Sequence, residues 1–529
     1  MVERLKRFVE DLENSRISFW AYVVTIICVI FLRNFLETFS DVDNFWTPVS
    51  PLAYFVHYPM FYLCLLLALI AIFHWLTKEK ITKITRITLC FFPIILLAPI
   101  LDLLVSGGQG YNISYMFEDS SALINRFVTF SWGYLGRGIT PGIQIELMVV
   151  FVLVACYLFL KTGKIILAII GVIASYIVGF VLGSLPSLIT VLWNLKGSAT
   201  VGSEIFSADV VLYHFYSFNQ KMTLVLFPIL VVELGLWYRL YNREKFRALL
   251  KNLRGLRVFH YLCMLSMGML IGYGQRPPET FFESPFPILI LIVSACSVVL
   301  AWLWAVGVND LHDEDTDRIT NHSRPLVSGV IDVEEYRSLN LVFLLLSLVA
   351  AILIRHPFLV TILVTAGLSY VYSAPPFRLK RVPLLSTFIL ALCSALVCLG
   401  GFVLFSADYS FVGFPPRILS AMLVAFTLGL TVIDIKDLKG DQATGTVTLP
   451  ILFGEKKGKM ITGILVLLAY LSVPVILKIL VLIPLALVFG IPTYLLINGK
   501  QMRETPIFLL YFLFLGATIF FIYLRIQGG

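Results

Sequence analysis

The stretch Phe286–Leu326 reads FPILILIVSACSVVLAWLWAVGVNDLHDEDTDRITNHSRPL, an apolar run from Phe286 to Val308 that ends abruptly in a crowd of acids. An uncharged run of that length is a bilayer-crossing helix. Asp310, Asp313 and Asp317 follow at spacing i, i+3, i+7. On a continuing helix, at about 100° per residue, that spacing puts them within roughly a 60° arc. A second stretch, Asp434–Asp441 (DIKDLKGD), repeats the spacing with Asp434, Asp437 and Asp441, again directly after an apolar run. Two carboxylate faces at the mouths of membrane helices repel each other unless cations lie between them. Mg²⁺ held through carboxylates and substrate phosphates meets that need, so the inference is a diphosphate site.

Composition agrees with a membrane setting. Of 529 residues, 59% are hydrophobic and 14% charged, and mean hydropathy is +0.91. This is a polytopic membrane protein with no room for a large soluble domain. All eight cysteines lie in apolar segments without a CxxC pair, which reads as buried hydrophobes, and the seven histidines show no zinc spacing. His312 and His322 flank the first acidic cluster. The net charge of +8 falls mainly in loops, where it reports topology and gives no reason to expect a nucleic-acid partner.

Apolar runs predict about six transmembrane helices before residue 245 and about nine after it, with the connection near Lys478 the shortest. The first sixteen residues are polar and amphipathic and lead into a retained first helix without a small-residue cleavage site. The basic linker from Arg239 to Arg257 divides the chain into an N-terminal module, 1–245, and a second domain, 246–529. Alternation of basic and polar loops places the N-terminus and both acidic clusters on the cytoplasmic side of what is expected to be a prokaryotic cell membrane, with the C-terminus outside. Between the clusters, Tyr372–Arg381 (YSAPPFRLKR) has two prolines that stop a helix and a turn that presents Arg378 and Lys380, suitable partners for diphosphate oxygens. A topological anchor would explain two basic residues at a helix end, and a solvated loop would explain one acidic cluster. Neither explains two clusters of identical spacing with a basic turn between them.

These three stretches together resemble the UbiA-type intramembrane prenyltransferases. Asn309, Asp310, Asp313 and Asp317, followed by Arg324-Pro325-Leu326, look like the family's NDxxDxxxD motif. Asp434, Asp437 and Asp441, with Gly440, Gly445 and Thr448-Leu449-Pro450, look like its second aspartate motif, and Tyr372, Arg378 and Lys380 look like its YSxPPxRLK turn. The resemblance covers roughly residues 250–523 and implies an all-α bundle of about nine helices, here preceded by about six more. It further implies two Mg²⁺ ions, one on Asp310, Asp313 and Asp317 and one on Asp434, Asp437 and Asp441. Asn309, Arg324, Arg378 and Lys380 would then contact metal or phosphate, with Tyr372 lining the site.

The implied reaction is transfer of a polyprenyl group from its diphosphate to an electron-rich acceptor, after ionisation of the allylic C–O bond in a water-free pocket. An aromatic or quinone-precursor acceptor ranks slightly ahead of a glycerol-phosphate lipid. Two rivals use the same acids: a membrane terpene cyclase that needs no acceptor, and a protein that binds or transports a diphosphate lipid without cleaving it. Acceptor, chain length and oligomeric state stay open. In the N-terminal module, Asp102, Glu146 and Glu233 lie in or at the ends of apolar spans and are candidates for function by their cost alone, and Asn112-Ile113-Ser114 is a glycosylation sequon. The module could scaffold the enzyme, shape acceptor entry or move a lipid product.

Overall fold

A backbone inside a bilayer must satisfy its own polar groups, so apolar runs of spanning length become helices. In the computed structural model, fourteen helices among the described residues are long and apolar enough to cross a membrane, and the chain is an integral, multi-pass, all-α membrane protein. The structure describes residues 2–40, 52–111, 119–130, 139–194, 205–278, 281–406, 410–436, 438, 442, 447–499 and 502–527. The Asn112 sequon lies outside them. Six spanning helices precede residue 245 and eight follow it. The span expected at Ile479–Ile497 forms as the helix Leu482–Ile497, whose sixteen residues fall short of that length. Its apolar stretch is interrupted where Lys478 turns left-handed (φ 56°) and ends the helix Glu455–Leu477.

The chain forms two compact units, Met1–Val210 with Phe215–Arg243 and Phe282–Phe286, and Val211–His214 with Glu244–Phe281 and Pro287–Gly529. In the first, the amphipathic helix Val2–Glu13 buries Glu13, whose carboxylate accepts from Tyr157 Oη (3.0 Å) and Lys161 Nζ (2.9 Å). Lys161 also reaches Glu79 at 2.8 Å. The intramembrane acids find different fates. Asp102 is buried and accepts from Thr140 Oγ1 and from the Gly142 amide at 2.7 Å, and Glu146 accepts from the Ala98 amide at 3.3 Å. Glu233 Oε2 has no hydrogen-bond partner among the described residues, and Glu233 borders a cavity of about 200 Å³.

In the second unit, the helices Gly255–Gln275 and Leu385–Val403 touch backbone to backbone. A Cβ on Gly268 would stand 1.8 Å from the Cys398 carbonyl oxygen, and one on Gly401 would stand 2.0 Å from that of Leu265. Glycine on both sides is what permits this approach, as expected where helices pack without a hydrophobic driving force. The contact fixes the separation of two walls of the cavity described next.

Candidate active site

The first acidic motif does not continue the preceding helix. Phe286–His312 stops at His312, Asp313 leaves helical geometry (φ −117°, ψ 16°), and a new seven-residue helix, Glu314–Thr320, begins. The expectation of three aspartates on one helical arc is therefore corrected. Asp310 stays on the first helix, Asp313 sits at the break, and Asp317 is on the second helix.

Asp313 and Asp317 line a cavity of about 620 Å³ inside the second unit, together with Asn309, Arg324, Tyr372, Lys380 and Asp434. Asp310 is 1% exposed, and its two oxygens are taken by four donors. Oδ1 receives Arg254 Nη2 at 2.8 Å and lies 3.3 Å from Arg324 Nη1. Oδ2 accepts from Asn252 Nδ2 at 2.6 Å and Tyr336 Oη at 2.8 Å. Asn252 in turn accepts from Arg324 Nη1 at 2.9 Å. One buried carboxylate thus organises two guanidinium groups, an amide and a phenol.

Local structure explains how these groups arrive. Arg254 turns left-handed (φ 53°) ahead of the helix Gly255–Gln275, and Trp302 Nε1 holds the turn through the Leu253 carbonyl at 2.8 Å. Arg324 sits in a loop closed by Arg324 N to Asn321 O (3.1 Å) and Ile331 N to Pro325 O (3.2 Å), with Leu326, Ile331 and Tyr336 buried beneath it. The YSAPPFRLKR segment ends the helix His356–Ser373, passes a cis Pro375–Pro376 bond, and turns at Arg378 (φ 49°) into a short 3₁₀ turn, Leu379–Arg381. Arg378 Nη2 then donates to the His312 carbonyl (2.7 Å) and to Asp313 Oδ1 (3.0 Å), while Lys380 and Asn309 Nδ2 both bind Asp313 Oδ2, the latter at 2.6 Å.

Asp317 is left the least satisfied. Oδ1 accepts from Asn321 Nδ2 at 2.8 Å, but Oδ2 is buried without a hydrogen-bond partner among the described residues, 3.7 Å from Arg324 Nε. Burial pushes the Asp317 carboxyl above its ordinary range, with Arg324 opposing. Burial also pulls the Arg254 guanidinium down to about 10 against the opposing pull of Asp310, so it stays charged at neutral pH. Among the described residues no three His, Cys, Asp or Glu side chains converge, but Asn309, Asp313 and Asp317 line one cavity and offer oxygen donors of the kind Mg²⁺ takes, so their chemistry fits that ion.

The second motif is only partly described. Asp434 lines the cavity, whereas Asp437 and Asp441, with Gly440 and Gly445, lie outside the described residues. Lys436 Nζ pairs with Glu504 at 3.1 Å. Among the described lining residues, six Lys and Arg side chains share the cavity with four carboxylates. The far walls are apolar, with Val298, Ile362, Leu390, Met422, Phe426 and Ile522. The arrangement suits an amphiphile with an anionic head and a long hydrocarbon tail.

Several contributors escaped sequence reasoning. Asn252, Arg254 and Arg257 precede an apolar run, where a basic cluster already has a topological explanation. His260, Ser394 and Tyr511 lie within apolar runs and Tyr336 among acids and bases at the start of one, and none carries a local signal.

Comparison with known proteins places the chain. The sequence model of the UbiA prenyltransferase family matches residues 262–516. Digeranylgeranylglyceryl phosphate synthase of Sulfolobus acidocaldarius is 31% identical over 209 residues, 38% of this chain and 68% of that protein. The protein of the same name from Sulfurisphaera tokodaii is 32% identical over 185 residues, 34% of this chain and 63% of that one. Homogentisate phytyltransferase of Synechocystis sp. is 29% identical over 198 residues, 35% of this chain and 61% of that one. The match therefore spans somewhat under two thirds of the last two proteins. Among solved structures, a UbiA homolog from Archaeoglobus fulgidus bound to DMAPP and Mg²⁺ aligns over 53% of this chain and 99% of its own, with 22% identity and a TM-score of 0.40. On the family match and these identities, the chain belongs to the UbiA prenyltransferase family.

Proposed function

We propose that residues 246–529 form a domain that transfers a polyprenyl group from a polyprenyl diphosphate to an acceptor, and that residues 1–245 are a separate membrane module. The observation that carries this reading is the single cavity with acids and bases at one end and hydrocarbon walls beyond. Asn309, Asp313 and Asp317 would hold one Mg²⁺, and Asp434, Asp437 and Asp441 a second. Bound there, the ions would neutralise charge on the leaving diphosphate. Asp310, expected as a ligand, is reassigned as the anchor of Arg254 and Arg324, because it is buried and is not among the residues lining the cavity, whereas Asp313 and Asp317 are.

The protein's own groups supply the rest. Arg324 and Lys380 take up phosphate charge as the allylic C–O bond ionises and its electron pair leaves with the diphosphate. The apolar walls exclude water that would capture the cation. Lys251, Arg257 and Lys436 add cations along the same cavity beyond those that grip Asp310 and Asp313. The names of the relatives of which this chain covers the larger share support a phosphate-bearing glycerol lipid ahead of an aromatic ring as acceptor. The positive-inside pattern supports a cytoplasmic mouth.

The test is diphosphate release from geranylgeranyl diphosphate by the purified protein in lipid, with Mg²⁺ or EDTA, and with geranylgeranylglyceryl phosphate, homogentisate or no acceptor. Metal-dependent release that requires one acceptor is expected. Release without acceptor would favour a cyclase, and absence of release with any donor length would favour binding or transport.

A further inference from the structure

One group of polar side chains in the same cavity has no part in gripping phosphate. His260, Ser394 and Tyr511 all line it, and they come from three helices, Gly255–Gln275, Leu385–Val403 and Glu504–Gln527. His260 Nδ1 lies 2.7 Å from Tyr511 Oη, and His260 Nε2 lies 2.9 Å from Ser394 Oγ. Ser394 Oγ also lies 2.9 Å from the Leu390 carbonyl, an oxygen that can only accept. That bond uses the only proton of the serine, so Ser394 accepts from His260 Nε2–H. The imidazole is thereby fixed with Nδ1 bare, and Nδ1 accepts the Tyr511 hydroxyl proton. The phenol oxygen keeps its lone pairs for a further donor.

The position suits chemistry at the head of a prenyl chain. Arg257 is three residues before His260 on its helix, and Glu504 is seven before Tyr511 on its own; the two are paired at 3.7 Å. At about 1.5 Å per residue, His260 lies roughly 4.5 Å along the helix beneath that charged pair. The same cavity is lined by Asp313, Asp317, Arg324 and Lys380, so the group shares one enclosure with the residues proposed to hold the donor diphosphate.

We infer that Tyr511, activated by His260 with Ser394 fixing the tautomer, takes the proton from the acceptor nucleophile during transfer. This rests on the prenyl-transfer reading above. In the step, the acceptor oxygen forms a bond to C1 as the C1–O bond to diphosphate breaks, the electron pair leaving with diphosphate. The acceptor proton passes to Tyr511 Oη while the tyrosine proton passes to His260 Nδ1, leaving an imidazolium held by Ser394. Reversal of the relay returns that proton to diphosphate or solvent after release. Tyr511 is the catalytic residue, and His260 and Ser394 are positioning residues.

The experiment compares the full-length protein in lipid nanodiscs with Tyr511→Phe, His260→Gln and Ser394→Ala, using geranylgeranyl diphosphate, Mg²⁺ and the acceptor that supports wild-type turnover. Diphosphate release, prenylated product and donor KM are measured separately. For Tyr511→Phe and His260→Gln, kcat for product is expected to fall about 10²-fold, the lower end for a positioned proton acceptor, with donor KM within about twofold of wild type. The double variant is expected to be no slower than the slower single, because the residues act as one unit. Ser394→Ala is expected to fall about tenfold, less than the other two. Wild-type kcat in Tyr511→Phe would overturn the inference. So would a raised donor KM with kcat unchanged, since that is a packing or donor-binding role. Should Tyr511→Phe fail to fold, the same two results in His260→Gln and Ser394→Ala would overturn it. Failure of the wild type to release diphosphate at all would instead refute the underlying reading.

Discussion

Asp310→Ala is the substitution whose outcome the structure makes most distinctive. A carboxylate that served only as a metal ligand would, in metal-free protein, be a like charge beside Asp313 and Asp317, and its removal would change stability by no more than about 0.5 kcal/mol. The observed Asp310 is fully enclosed and holds Arg254, Arg324, Asn252 and Tyr336 at 2.6–3.3 Å. Removing one partner of such a buried arrangement leaves uncompensated guanidinium charge and costs about 3–5 kcal/mol. For a unit of this size, each kcal/mol shifts the melting temperature by about 2–4 °C, so the expected fall is at least about 6 °C. The assay is thermal unfolding in nanodiscs with EDTA present, so that loss of metal does not contribute. Asp317→Ala is the control. Its Oδ2 has no donor among the described residues and its Oδ1 has Asn321, so its removal is expected to cost about 1 kcal/mol, or about 2–4 °C in the metal-free melt, less than that of Asp310→Ala. Asp310→Ala melting within about 2 °C of wild type would refute the anchor assignment and restore Asp310 to the metal.

Two further outcomes follow from packing and charge. Lys161→Met strips the buried Glu13 of its only ion pair among the described residues and is expected to cost about 3 kcal/mol, whereas Glu79→Gln, at a quarter-exposed pair, is expected to cost under about 1 kcal/mol. Both are read from melts of the full protein. Lys161, with Lys83 helping, holds the Glu79 carboxyl below its ordinary range, so that contribution is present above ordinary carboxylate pH and is lost as pH falls through the depressed value. Gly268→Ala puts a methyl group into the Cys398 carbonyl and is expected to cost about 1–3 kcal/mol while stretching the His260–Ser394 bond, read as a lower melt together with a lower kcat.

Much of the fold was legible because a bilayer leaves apolar runs few alternatives, and periodicity and length carried the helices almost unaided. The charged end of the cavity was legible for a similar reason: carboxylates and cations at membrane helix ends are expensive unless used. Spacing alone put Asp310, Asp313 and Asp317 on one helical arc, but that argument assumed an unbroken helix and the chain breaks at Asp313. The basic residues Arg254 and Arg257 were visible but already explained by topology. His260 and Tyr511 were hidden for another reason: 251 residues separate them, and only the folded bundle makes them neighbours.

The paired glycines, Gly268 and Gly401, bear on how such a cavity can diversify. At the contact itself there is no room for a side chain, so drift at Gly268 and Gly401 is penalised whichever substrate is used. Variation in chain length or acceptor must then be written on the side chains that line the cavity, such as Met422, Phe426, Phe508 and Phe514 on Pro416–Gly429 and Glu504–Gln527, which present bulk that can be exchanged. For anyone redesigning the pocket, the glycine pair is chassis and the lining side chains are the dial.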